Sequence, residues 1–260
     1  MIEAKPITLR GKPLAGGVTP VICTPLIGDS REELLAEVAA VLPMQPDVIE
    51  WRADYFAALA DTDQVIDTAR ALTVASRGLP ILFTRRAASE GGRIVSLSEP
   101  RVVQLYEAVC AARCVDLIDY ELSQSSDAFQ RLRAASRRHE IAMVASYHNF
   151  ESTPAIEALL GKFREAQSGG ADVGKVAVMP RSLGDVLTLL TATHQASTSL
   201  DIPLISMSMG GYGSVSRMIG GVFGSALTFA VGKRSSAPGQ IPIEELRTVL
   251  ATVRRSVGAG

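Results

Sequence analysis

ADVGKVAVMPRSLGDVLTLLTATHQASTSLDIPLISMSM, residues 171–209, holds one complete strand–helix–strand unit. VGKVAVM (173–179) and PLISMSM (203–209) are short, near-continuous apolar runs, the pattern of strands covered on both faces. Between them RSLGDVLTLLTATHQAS (181–197) carries its apolar residues at helical spacing. A strand, a helix and a second strand in that order join parallel strands by a covered crossover. Repetition of the unit decides the fold. VICTPLI (21–27), DVIEWRAD (47–54), PILFTRR (80–86), VDLIDYEL (115–122), IAMVASYH (141–148) and SALTFAV (225–231) raise the strand count to eight. Helical spacing fills the intervals at 30–42, 61–77, 98–113, 125–139 and 153–169, with a short segment within 214–221 and a last one over 242–257. Ser30 and Glu33 form a capping-box pattern, and Pro154 and Pro242 stand at or near first helical positions, where a missing N–H costs nothing.

Eight such units in 260 residues predict an α/β protein, a single (β/α)8 TIM barrel spanning 1–260 with a short N-terminal extension. A doubly wound open sheet is the alternative, but no GxGxxG follows the first strand. Residues 1–20 are expected to form a hairpin closing the barrel floor. The charges nearly cancel, at net −1, and no block of like charge occurs, so neither nucleic acid nor an anionic membrane is expected as a partner. Mean hydropathy is high at +0.21, yet the longest apolar stretch, MIGGVFGSALTFAVG (218–232), is short and broken by glycines. The N-terminus lacks the apolar region of a secretory signal. Cys23, Cys110 and Cys114 are an odd count without metal-ligand spacing, which reads as reduced thiols in a cytoplasmic protein.

Barrel enzymes place their chemistry at the C-terminal ends of the strands, and the polar residues collect there. The second strand ends in Glu50, Arg52 and Asp54, the third in Arg85 and Arg86 with Glu90 following, and the fifth in Tyr147 and His148. Glu50 and Arg52 are two apart, so both face one side of their strand, where an ion pair at the barrel mouth is expected. Glu90, ahead of Gly91-Gly92, sits on a loop able to reach His148 and orient it. MGGYGSVSR (209–217) could cradle a phosphate, while Arg217 offers a planar fork suited equally to a carboxylate. KRSSAPGQIP (233–242), with Ser236 and Gln240, has a lid's composition.

Lys175 is the residue least at ease, an ammonium inside an apolar strand. The chain has 21 Arg and five Lys, and the other four lysines (5, 12, 162 and 233) fall in segments that read as exposed. A snorkelling side chain on a strand end is one explanation. The other is a nucleophile: an amine kept neutral by burial and by Arg52 and Arg86 forms an imine with a ketone, and a nearby histidine moves the protons. Composition and placement reach a Schiff-base lyase or aldolase acting on an anionic, polyhydroxylated substrate, and stop there.

Seven blocks go further. EWRAD (50–54), LFTRRAASEGG (82–92), SYHNF (146–150), GADVGKVAVMP (170–180), ISMSMGGYGSVSR (205–217), VFGSALTF (222–229) and SAPGQI (236–241) occur in order, and through them the chain resembles the type I 3-dehydroquinate dehydratases over nearly its whole length. The resemblance implies a (β/α)8 barrel that converts 3-dehydroquinate to 3-dehydroshikimate by syn loss of water in the shikimate route to aromatic amino acids. It further implies no metal and no organic cofactor, and a homodimer. By position, Lys175 would form the imine, His148 would be the general acid/base and Glu90 its partner. Glu50, Arg52 and Arg86 would hold the ring hydroxyls and order the polar network, Arg217 would grip the substrate carboxylate, and Ser236 and Gln240 would belong to the closing loop. Three departures stand out, one of them MSMGGYG (207–213) ahead of Arg217. Pro25 occupies the place of a family serine, with Thr24 as a possible substitute, and Asn149 follows His148 where Asp is frequent, which would lower the histidine pKa. A sugar-phosphate aldolase, a barrel that only senses quinate-like ligands, and a metal enzyme built on Glu50, Asp54, Glu90 and His148 are the competing readings.

Overall fold

Side chains alternate along each strand between two environments, and that alternation builds the molecule. The computed structural model describes residues 4–9, 12–14 and 19–258. The strands are β1 (Val21–Leu26), β2 (Val48–Arg52), β3 (Ile81–Thr84), β4 (Leu117–Glu121), β5 (Ala142–Asn149), β6 (Val173–Val178), β7 (Leu204–Ser208) and β8 (Leu227–Val231). They pair in parallel in the order β8-β1-β2-β3-β4-β5-β6-β7. A helix follows each: α1 (Arg31–Val41), α2 (Thr62–Ala75), α3 (Glu99–Ala112), α4 (Ser126–Arg138), α5 (Ile156–Ser168), α6 (Leu183–Ser199), α7 (Gly210–Ile219) and α8 (Ile243–Ser256). The barrel expectation holds, and the open doubly wound sheet does not.

Outward-facing Ile49, Trp51, Phe83, Ile118, Tyr120 and Met143 pack under the first four helices. Trp51, Phe83, Tyr106 and Tyr120 continue there as edge-to-face rings with centroids 5.1–5.8 Å apart. Inward-facing Val21, Cys23, Val48, Leu82, Leu117, Val144, Val173, Ile205 and Leu227 form a separate apolar plug. The plug fills the lower barrel, so polar residues further along the strands rest on a dry floor. The N-terminal segment seals that floor. Thr8–Leu9 pairs antiparallel with Lys12–Pro13, and Ala4 and Ile7 are buried in the plug; residues 1–3, 10–11 and 15–18 of the expected 1–20 hairpin lie outside the described residues. Lys5 corrects its expected exposure: half-buried, it donates to the carbonyls of Ser197 (2.8 Å) and Leu200 (2.5 Å) where α6 ends.

The seam between β7 and β8 is unlike the others. One parallel bridge, Leu204 to Ser225, closes its lower end, with Ala226 N donating to Leu204 O at 2.7 Å. Higher up, the free edge of β8 pairs instead with Ile241–Pro242, the end of the lid segment. Arg217 reaches from α7 into this gap and donates to the carbonyl of Phe229 at 3.4 Å.

Two local expectations need correction. The helix expected within 214–221 begins at Gly210, so MGGYG is a first helical turn and no open phosphate cradle. Gly213 is required there, because a Cβ would stand 2.3 Å from the Ser208 carbonyl carbon. At α1, Ser30 accepts from Glu33 N (3.3 Å), but the Glu33 carboxylate turns to Arg234 and the capping box is half formed.

Candidate active site

The inward alternation that builds the floor continues upward in polar residues. Glu50 and Arg52 on β2, Asp119 and Glu121 on β4, Ser146 and His148 on β5 and Lys175 on β6 all follow the register of the plug residues below them. Thr84 and then Arg86 continue β3 in the same way. A cavity opens above them at the C-terminal mouth. Its wall contains all nine residues singled out from the sequence: Glu50, Arg52, Arg86, Glu90, His148, Lys175, Arg217, Ser236 and Gln240. Phe150, Ala177, Met207, Met209 and Phe229 supply its apolar surface.

Lys175 is 4% exposed, which removes the snorkelling explanation. The expectation that arginines and an apolar wall alone surround its amine is corrected. Nζ donates to Asp119 Oδ2 at 2.8 Å, Glu50 Oε1 lies 3.8 Å away, and the Phe229 ring centroid is 4.6 Å away on another side. Asp119 and Glu121 were passed over in the sequence although VDLIDYEL carried the signal. Two carboxylates two apart near a strand's end share a face, as Glu50 and Arg52 do.

Arg86 organises this layer. Its Nη1 donates to Glu121 Oε1 (2.9 Å) and Ser146 Oγ (2.7 Å), and its Nη2 lies 2.9 Å from Asp119 Oδ1. Burial opposes the Arg86 charge, but Asp119 and Glu121 outweigh it and raise the guanidinium pKa above its ordinary value. Burial likewise opposes the Asp119 charge, and Arg86 and Lys175 overcome it, holding the carboxyl well below the usual carboxylate range. The expected Glu50–Arg52 pair does not form. Arg52 makes a two-pronged contact with Asp54 at 2.8 Å on both arms, while Glu50 accepts from Thr84 Oγ1 at 3.0 Å. Asp54 also accepts from the amides of Arg86 (3.3 Å) and Arg93 (3.0 Å), so it braces the loop after β3. Arg85 turns outward to Glu99 at 2.5 Å.

Glu90 and His148 meet as expected. Nδ1 of His148 lies 2.9 Å from Glu90 Oε2, which also accepts from His148 N at 2.9 Å, and Ser123 donates to Oε1 at 2.5 Å. Burial, resisted by the Ser123 hydrogen bond and Arg86, pushes Glu90 up to about 7. Burial first, then Arg86 and Lys175, hold His148 well below the ordinary imidazole value. The direction matches the sequence expectation, but the cause does not: Asn149 turns away, accepting from Glu151 N and Ser152 N at 2.9 Å. A neutral imidazole with an oriented Nδ1 leaves Nε2 to exchange protons. Gly92 permits this geometry, since a Cβ there would lie 1.9 Å from the Arg86 carbonyl oxygen.

Arg217 is 1% exposed, and among the described residues no carboxylate pairs with it. It touches the carbonyls of Phe229 (3.4 Å) and Pro238 (3.2 Å) and the sulfur of Met207 (3.5 Å), while Nε has no partner. Burial alone brings its pKa down to about 10, so it remains a guanidinium at neutral pH. An isolated buried cation facing a cavity is a receptor for an anion. The lid lies across the mouth, with Ser236 N donating to Gln240 Oε1 at 3.1 Å and Pro238 O accepting from Gly210 N at 3.2 Å. Arg234 fastens its near end to buried Glu37 at 2.5 Å. Thr24 does not replace the missing serine. It is absent from the cavity wall, and its hydroxyl is buried without a partner facing Gly232. Among the described residues no cluster of three or more His, Cys, Asp and Glu is arranged to hold a metal ion.

The model of the type I 3-dehydroquinase family matches residues 22–256 of this chain. A 3-dehydroquinate dehydratase of Albidiferax ferrireducens is 53% identical over 260 residues, covering 100% of this chain and 98% of the relative. The crystal structure of 3-dehydroquinate dehydratase from Geobacillus kaustophilus superposes with a TM-score of 0.94 at 45% identity, over 98% of this chain and 99% of that one. The type I 3-dehydroquinate dehydratase from Clostridium difficile, solved with covalently modified comenic acid, gives a TM-score of 0.92 at 34% identity, over 97% and 99% of the two chains.

Proposed function

The chain belongs to the type I 3-dehydroquinase family, and from that membership we propose how its own residues dehydrate 3-dehydroquinate to 3-dehydroshikimate in the shikimate pathway. The observation that carries the reading is a buried amine, Lys175, sharing one cavity with a neutral, oriented imidazole, His148. The Clostridium difficile relative, solved with covalently modified comenic acid, is in keeping with covalent chemistry in this family.

Arg217 takes the substrate carboxylate, since it is a buried cation without an anion of its own. Glu50 and Arg52 face the ring hydroxyls. Arg86, whose terminal nitrogens already serve Asp119, Glu121 and Ser146, orders the network more than it touches substrate. Lys175 attacks the C3 ketone, and His148 relays protons as the carbinolamine loses water to give the imine. With electrons drawn toward the imine, His148 removes a C2 proton and then delivers a proton to the departing C1 hydroxyl. Both transfers use one base on one face, which accounts for syn elimination. Hydrolysis of the product imine frees Lys175. Glu90 fixes the imidazole throughout, and Ser236 and Gln240 close the mouth against water.

The reading makes the chain one catalytic domain over 1–260, working in the cytoplasm as a homodimer with no metal or organic cofactor. No helix among the described residues is long and apolar enough to cross a membrane. Borohydride reduction in the presence of 3-dehydroquinate, followed by peptide mass mapping, tests the mechanism. The expected result is an adduct on Lys175 that Lys175→Ala abolishes together with turnover. Full activity in Lys175→Ala would end the Schiff-base reading. His148→Ala is expected to form the adduct and stall at elimination.

A further inference from the structure

Among the described residues Asp119 is the one carboxylate within hydrogen-bonding distance of the Lys175 amine, and nothing in the mechanism above uses it. We propose that Asp119 is the counter-ion of the iminium that Lys175 forms, an assignment that rests on the imine reading.

The two oxygens of Asp119 have separate tasks. Oδ1 accepts from Ser146 Oγ at 2.5 Å and from Arg86 Nη2 at 2.9 Å, which fixes the plane of the carboxylate. Oδ2 is thereby turned to Nζ, 2.8 Å away. The group is fully buried on the middle of β4, so water does not compete for either oxygen. Glu50 is no substitute, being 3.8 Å from Nζ with the same oxygen engaged by Thr84. His148 Nδ1 is directed at Glu90.

Bonding at nitrogen then dictates the role. Lys175 first gives one proton to His148, and the lone pair of the amine left with two N–H bonds attacks C3. The new C–N bond leaves an ammonium centre, which passes one proton to the alkoxide oxygen. The carbinolamine hydroxyl departs as water with a proton from His148, and the nitrogen lone pair forms C=N. One N–H remains on a cationic nitrogen, and Asp119 Oδ2 is its acceptor. Arg86 and Ser146 bind Asp119 in its ionised form, so it withholds itself as a base and leaves proton transfer to His148. A fixed anion that keeps the nitrogen protonated keeps the imine an electron sink when the C2 proton leaves. The Phe229 ring, 4.6 Å from Nζ, presents a second surface suited to the same cation.

Asp119→Asn retains an acceptor oxygen and removes the charge. Borohydride trapping with 3-dehydroquinate would be read by intact mass across a pH series. The wild-type adduct on Lys175 is expected to stay constant with pH. In Asp119→Asn it should decline as pH rises, because an uncompensated iminium gives up its proton to the less reducible neutral imine. Turnover should fall ~10²-fold with KM much less affected. Wild-type trapping at every pH with wild-type kcat in Asp119→Asn would overturn the assignment and leave the imine reading standing. A wild-type protein that yields no adduct would remove both. Should Asp119→Asn fail to fold, Ser146→Ala carries the test. It removes the 2.5 Å bond that orients Asp119, together with the oxygen that accepts from Arg86 at 2.7 Å, and a milder pH-dependent decline is expected, an unchanged profile being the overturning result.

Discussion

Glu90 and Arg217 both carry a cost of burial that the fold alone does not repay. For Glu90 the folded state holds a proton more tightly than the unfolded chain, with a pKa of about 7 against the ordinary 4.5. The site is therefore neutral to stability below the unfolded value, becomes destabilising as pH rises through that interval, and reaches its full penalty above the folded value. That penalty is about 3 kcal/mol at most. Glu90→Gln should accordingly be more stable than wild type at pH 8 and match it near pH 4, while losing turnover; urea melts at the two pH values check this. Asp119 runs the opposite way. Its depressed pKa contributes stability that is complete at neutral pH and is lost as acid protonates it. Arg217 has no carboxylate among the described residues and stands 1% exposed. Arg217→Met should leave the melting temperature unchanged or raise it, since an unpaired buried charge is removed. KM for 3-dehydroquinate should rise about 10- to 100-fold with the loss of a charged hydrogen bond. A matched pair of thermal melts and steady-state titrations separates the two effects.

Element termini place these groups. The single turn Ala88–Glu90 after β3 sets the Glu90 carboxylate under His148, and it closes only because Gly91 has φ +82° and Gly92 lies against the Arg86 carbonyl. Gly92→Ala would drive a methyl into backbone that cannot rotate away. It should lower stability by ~1–3 kcal/mol and lower kcat by displacing Glu90, read from denaturant midpoints and initial rates. The start of α7 shows the same physics in reverse. Glycine clusters suggested a loop, yet Gly213 lets the helix lie against Ser208, and Gly210 N is capped by the lid's Pro238 carbonyl. Turn glycines and close-packing glycines look alike in a sequence; the neighbour that demands the missing Cβ is remote in the chain.

At the scale of the whole molecule, one long stretch of the chain is nearly without charge. From 186 to 216 Asp201 is the single Asp, Glu, Lys or Arg. Leu187 on α6 (63% exposed) and Tyr212 on α7 (57%) stand exposed within it. Exposed apolar side chains on a stretch poor in charge suit the homodimer of the proposed function. Leu187→Lys should shift the protein from dimer to monomer in sedimentation equilibrium while the melting curve of the isolated fold changes little. A wild-type monomer at micromolar concentration would count against the dimer.

Eight strand–helix units, their parallel pairing and the gathering of polar residues such as His148 at strand ends were legible in the sequence, because period-2 and period-3.6 patterns are local properties of the chain. So were the nine site residues, which fall in six of the seven blocks that carry the family resemblance. Pairing was not legible. Arg52 sits two residues from both Glu50 and Asp54, and spacing cannot say which it binds; the turn after β2 brings Asp54 back onto it. Asp119 joins Lys175 across 56 residues and Arg86 across 33, contacts created only when β3, β4, β5 and β6 stand side by side. Local patterning settled the barrel, and family resemblance named the residues proposed as its nucleophile and base. The tertiary structure decided which carboxylate faces the amine, because that depends on strand register around a closed sheet and not on any stretch of the chain.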